Sequence, residues 1–177
     1  MSSIDIENFI VDIPDYPQPG VVFKDITPLL ANPVGLAATI DEFCHHFLDK
    51  GITKVVGAEA RGFIFGSAVA YRLGAGFVPL RKPGKLPREV YTQQYALEYG
   101  TDELQMHKDA LNENDRVLII DDLIATGGTT LASGRLVEQA GAEIVGFAYV
   151  LELAFLNPRE IVGREFDQEI FTLIKID

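Results

Sequence analysis

A single cysteine, Cys44, excludes an internal disulfide and any metal site built from several cysteines. Lying among Ile40, Phe43 and Phe47, it reads as a small core residue. Positive charge is also scarce, with 15 Lys and Arg against 26 Asp and Glu and a formal net charge of −11. That balance disfavours non-specific binding to nucleic acid or anionic lipid, which are themselves polyanions. An anionic substrate would need local positive charge, so the cluster Arg81, Lys82, Lys85 and Arg88 is informative. No apolar run reaches the length of a membrane span, and the first residues lack a basic region followed by an apolar core. A soluble, cytoplasmic protein is expected, with no nucleic-acid or membrane partner. Repeats, low-complexity tracts and linkers are missing too, and 177 residues suit one well-buried core better than two. Two phosphate motifs are absent: there is no G-x-x-x-x-G-K-[ST], and Gly74-Ala75-Gly76 lacks the third glycine of a dinucleotide fingerprint.

What is present centres on VLIIDDLIATGGTT, residues 117–130. Val117 to Ile120 read as a strand buried on both faces, as a central parallel strand requires. Asp121 and Asp122 follow at its end. Ala125, Thr126, Gly127, Gly128 and Thr129 then form a loop of small residues, in which glycine lets backbone amides approach a ligand closely. A helix opens from it, with Ala132, Leu136, Val137 and Ala140 at helical spacing and Gly141 placed to end the run. Loop amides and the positive end of the helix dipole favour a phosphate, and carboxylates beside them can accept hydrogen bonds from sugar hydroxyls. The implied ligand is a ribose phosphate.

The first thirty residues are punctuated by Pro14, Pro17, Pro19, Gly20 and Pro28, so an irregular segment is expected after a short helix at Ile4 to Val11. Within it VVFKDITPLL, residues 21–30, is apolar without helical spacing. It reads either as cover for the core or as a lid whose free backbone groups meet a flat heterocycle while Phe23 stacks on its face. Asn32 as N-cap, Pro33 in the first turn and Leu36, Ile40, Phe43 and Phe47 at helical spacing define a helix that Gly51 closes. A strand at residues 53–58 runs into Glu59-Ala60-Arg61, and the guanidinium of Arg61 at a strand's end suits phosphate oxygens. Phe65, Val69 and Leu73 share a helical face. A short strand, Gly76 to Leu80, delivers the basic cluster. Residues 87–107 are rich in β-formers and alternate, which predicts a hairpin that leaves the sheet and can close over a site. Two further strands, Ile144 to Leu153 and Ile170 to Ile176, flank a short helix started by Asn157-Pro158. Alternating strands and helices mean an α/β fold: a central, mostly parallel, twisted sheet flanked by helices, with ligands at the strand C-termini.

The order apolar-Asp-Asp-x-x-Ala-Thr-Gly-Gly-Thr resembles the phosphoribosyl-diphosphate (PRPP) motif of the type I phosphoribosyltransferases. With Glu59 to Phe63, Arg81 to Pro87 and Ala96 to Gly100 in sequence order, the likeness extends to the adenine-using members and covers nearly the whole chain. It implies a type I phosphoribosyltransferase fold with a small N-terminal hood at residues 1–33 and a mobile hairpin. It further implies transfer of the phosphoribosyl group from PRPP to adenine, giving AMP and diphosphate. The resemblance assigns Ala125 to Thr129 to the 5′-phosphate, Asp121 and Asp122 to the ribose hydroxyls, and Glu59, Ala60, Arg61, Arg81, Lys82 and Lys85 to the PRPP site. Arg61 would hold diphosphate, in a loop carrying a strained peptide. Glu98 is the implied acid/base residue, beside Tyr99 on the hairpin; backbone groups of Val22 and Lys24 would read adenine, with Phe23 and Leu123 sandwiching the ring. Mg²⁺, held mainly by PRPP and near Asp121 and Asp122 through water, and a homodimer complete what it implies.

Overall fold

The computed structural model describes residues 5–97 and 100–177. Two compact units divide the chain, Met1–Phe43 and Cys44–Asp177. In the first, a short 3-10 helix (Ile6–Phe9) precedes β1 (Val11–Pro14) and β2 (Val22–Asp25), which pair antiparallel, then α1 (Thr27–Ala31) and most of α2 (Pro33–Phe47). The segment expected to be irregular therefore contains two strands and a helix. The reason is Pro28, which sits in the first turn of α1, where its missing N–H is no loss, while the Asp25 carboxylate accepts from the Thr27 N–H at 2.9 Å. Asn32 caps α2 as expected, accepting from the N–H groups of Val34 and Gly35 at 3.0 and 2.9 Å.

The second unit is built on five strands in the order β4-β3-β7-β8-β9: β3 (Lys54–Ala58), β4 (Gly76–Leu80), β7 (Arg116–Ile124), β8 (Glu143–Leu153) and β9 (Glu169–Ile176). All four pairings are parallel. α3 (Arg61–Leu73) carries the chain from β3 outward to β4, whereas α4 (Gly128–Gln139) carries it the other way, from β7 to β8. Right-handed crossovers running in opposite directions put the two helices on opposite faces, and Gly66 of α3 lies against Ile120 while Ala132, Leu136 and Val137 of α4 share a core cluster with Val117 and Ile119. The chain thus reverses between β3 and β7, which leaves a crevice at their carboxyl ends.

The expected hairpin is present as β5 (Val90–Ala96) and β6 (Thr101–His107). Tyr95, Leu104 and Met106 are buried in the same cluster as α4, and one bridge, Arg81 to Gln105, ties β6 to the chain just past β4. α5 (Pro158–Gly163) follows the αL residue Asn157. No helix among the described residues is long and apolar enough to cross a membrane.

Candidate active site

A cavity of about 370 Å³ occupies the crevice, lined by Glu59, Ala60 and Arg61 from the end of β3 and by residues 121–130. β7 does not stop at Ile120 but runs on to Ile124, so the two carboxylates lie within the strand and alternate across it. Asp121 is level with Tyr149 on β8, and its Oδ1 lies 3.1 Å from where a Cβ on Gly62 of α3 would stand. Asp122, 5% exposed, turns toward α3, where its Oδ2 accepts from Arg61 Nε at 2.8 Å. Both still reach the cavity, because it opens at the strand's end. Burial, then the Asp122 carboxyl beside it, pushes Asp121 well above the usual carboxyl range; the Asp122 N–H at 2.8 Å and the charge of Arg61 oppose this without cancelling it.

The small-residue loop behaves as its composition demands. Gly127 has φ +88°, a conformation that favours glycine, and as N-cap it offers no side chain to the first N–H groups of α4. Those donors face a concave wall at the positive end of a helix dipole, the arrangement that binds anions. Gly128 is needed for a different reason: a Cβ there would lie 3.0 Å from the Ala96 carbonyl and 3.4 Å from the Tyr95 ring. The hairpin therefore passes directly beside the loop, and Tyr95 and Leu104 line the cavity.

The other expected site residues lie in several places. Ala60 and Arg61 open α3, the peptide between Glu59 and Ala60 is cis, and the Arg61 side chain is 45% exposed beside the cavity. Arg81 and Lys82 sit outside the cavity lining and are engaged by acids. Arg81 donates to Glu59 from Nε at 2.8 Å, which holds the Glu59 carboxyl below its ordinary range, and Lys82 Nζ bonds Asp102 and Tyr95 on the hairpin. Lys85 is exposed. Val22, Phe23 and Lys24 lie on β2 of the first unit, where Phe23 meets Tyr16 edge-on at 5.3 Å and Lys24 pairs with Asp12 at 2.6 Å. Leu123 lines the cavity. Glu98 and Tyr99 lie outside the described residues. Four lining residues escaped the sequence reading, Tyr95, Leu104, Ile124 and Thr130; the alternation Tyr91, Gln93, Tyr95 along β5 could have found the first. Thr130 Oγ1 and Tyr149 Oη, both buried, are 2.6 Å apart. Among the described residues no cluster of three or more metal-ligating side chains exists.

Comparison with known proteins bears on this arrangement. The phosphoribosyl transferase domain model matches residues 27–170. The adenine phosphoribosyltransferase of Koribacter versatilis is 56% identical over 172 residues, 97% of this chain and 93% of the relative. The crystal structure of adenine phosphoribosyltransferase from Thermoanaerobacter pseudethanolicus superposes with a TM-score of 0.92 at 46% identity, covering 97% of this chain and 98% of the other. The APRTase of Giardia lamblia, solved with 9-deazaadenine, gives 0.93 at 41% identity over 100% and 99%. The chain belongs to the phosphoribosyltransferase family, among its adenine phosphoribosyltransferases.

Proposed function

We propose that the cavity holds PRPP and that the enzyme forms AMP and diphosphate from PRPP and adenine. The observation that carries this is the pairing, within one 370 Å³ space, of two strand-borne carboxylates with the uncapped N-terminus of α4. The 5′-phosphate takes the N–H groups of residues 125–129, and Asp121 and Asp122 accept from the ribose hydroxyls. Arg61, already on Asp122, turns its exposed edge to the diphosphate, supported by Glu59, Ala60, Arg81, Lys82 and Lys85.

In the reaction the C1′–oxygen bond to diphosphate breaks as adenine N9 bonds C1′, and N9 gives up its proton. Positive charge grows on the ribose ring and negative charge on the leaving group, so acids on one side and a guanidinium on the other stabilise the transition state more than the ground state. Glu98 handles the proton, with Tyr99 beside it. The carboxylates of Asp121 and Asp122 suit Mg²⁺, which keeps its waters and needs few protein ligands; when bound with PRPP it neutralises diphosphate charge. Val22, Phe23, Lys24 and Leu123 are the residues assigned to adenine; that a base of this kind is taken at all is supported by the 9-deazaadenine bound to the Giardia relative. The enzyme works as a cytoplasmic homodimer.

Assay of the purified protein with PRPP, Mg²⁺ and each of adenine, hypoxanthine, guanine and xanthine tests the reading. Turnover with adenine alone is expected; turnover confined to an oxo-purine would overturn it. Replacing Glu98 by Gln should slow turnover while PRPP still binds.

A further inference from the structure

The phosphate loop has a back wall, and that wall is supplied by the chain that follows β8. Residues 157–166 touch α4 and its loop at three points. A Cβ on Gly127 would lie 3.0 Å from Val162 Cγ2, and one on Gly134 would fall 2.5 Å from Phe166 Cζ. Arg135 on α4 makes a two-pronged contact with Glu165, both N–H···O distances being 2.6 Å. α5, at the centre of this segment, is only six residues long and has no stability of its own. Something must hold it.

That something is Arg159. Its Nε donates to Glu152 Oε1 at 2.8 Å and Oε2 at 3.1 Å, Nη2 donates to Oε2 at 2.7 Å, and Nη1 reaches the Ile170 carbonyl at 2.8 Å. Glu152, 1% exposed at the end of β8, also accepts from the Thr172 hydroxyl of β9 at 3.0 Å. One guanidinium thereby nails α5 to two strands of the sheet. We propose that Arg159 is a positioning residue for phosphate recognition: it fixes Val162 against Gly127, and so fixes where the loop N–H groups point.

Arg159 does not line the cavity, so its influence passes through Val162 and Gly127. This gives the effect a signature. Ligands carrying the 5′-phosphate should suffer, and ligands lacking it should not. The inference rests on the reading of residues 125–129 as the 5′-phosphate site, and the test separates the two. Binding of ribose 5-phosphate and of diphosphate, with Mg²⁺ present, is measured by calorimetry on the full chain alongside KM for PRPP and for adenine. An unmodified protein that binds diphosphate but not ribose 5-phosphate would remove the reading of the loop, and this inference with it.

Where the unmodified protein binds both, Arg159→Met should weaken ribose 5-phosphate and raise KM for PRPP by about tenfold, short of the roughly hundredfold that an ångström of misplacement can cause. Diphosphate affinity and KM for adenine should stay within about twofold. Because Arg159→Met strands a buried carboxylate, the double variant Glu152→Gln/Arg159→Met provides a neutral version, and Val162→Ala loosens the wall with the ion pair intact; both should show the same selectivity. Arg159→Lys should recover part of the loss. Equal weakening of every ligand, or unchanged ribose 5-phosphate binding in the folded double variant, would overturn the proposal.

Discussion

Adjacent strands β7 and β8 each carry buried acid at the carboxyl end, and the chain treats the two opposite ways. At the end of β8, burial alone would push Glu152 up, but Arg159 and Thr172 together hold its carboxyl below the ordinary range. On β7, burial and the like-charged Asp122 beside it push Asp121 well above that range, and the charge of Arg61 offsets this only in part. Glu152 is answered by a guanidinium and a hydroxyl from within the chain, whereas the Asp121 carboxyl faces a second acid. An acid left short of partners marks a place where binding supplies what folding withholds.

The contrast can be broken by experiment, beginning with its structural half. Arg159→Met leaves Glu152 buried and uncompensated, and should lower unfolding free energy in urea by about 3–5 kcal/mol. Glu152 has a lowered native pKa, so the stability it contributes is present above the ordinary carboxyl value and is lost as pH falls through the lowered one. The difference between the unmodified protein and Arg159→Met should therefore shrink in acid.

Asp121→Asn should do the reverse: reduce turnover by about a hundredfold, as loss of a transition-state partner does, yet raise the melting temperature. The sign follows from a raised native pKa, whose contribution is fully present below the ordinary carboxyl value and is lost as pH rises through the raised one. The melting advantage of Asp121→Asn should open as pH approaches neutrality. A fall in melting temperature at pH 7 would mean that Asp121 is as well satisfied as Glu152.

Gly127→Ala tests the loop joining the two halves. At φ +88°, with Val162 3.0 Å from the new Cβ, it should cost about 1–2 kcal/mol of stability and raise KM for PRPP. Smallest is Asp102→Asn, which weakens a partly exposed pair with Lys82 and should change stability by about 1 kcal/mol or less in urea.

Much of this site could be read in the sequence because its signals are local. An apolar run, two acids, two glycines and a helical stripe follow one another without interruption from Val117 to Ala140, and backbone chemistry alone ties each to its role. Asn32 and Pro33 announced α2 for the same reason. Pro28 misled because a helix's first turn accepts what its interior rejects. Asp121 and Asp122 look like a strand terminus in sequence, yet parallel partners on β8 keep β7 extended as far as Ile124. The pairings Arg81 with Glu59, Lys82 with Asp102 and Arg159 with Glu152 join residues whose proximity only the tertiary fold creates, and no spacing rule announces them.

One small contact has a wider consequence. β4 is an edge strand of the sheet, a row of backbone groups onto which a strand from another chain could add. Pro79 deprives that edge of one donor, and just beyond it the Arg81 N–H and C=O are both taken by Gln105, at 2.9 and 2.8 Å. The hairpin root thus caps the end of an otherwise templating edge, and the element placed beside the cavity also discourages the protein from aggregating through its sheet.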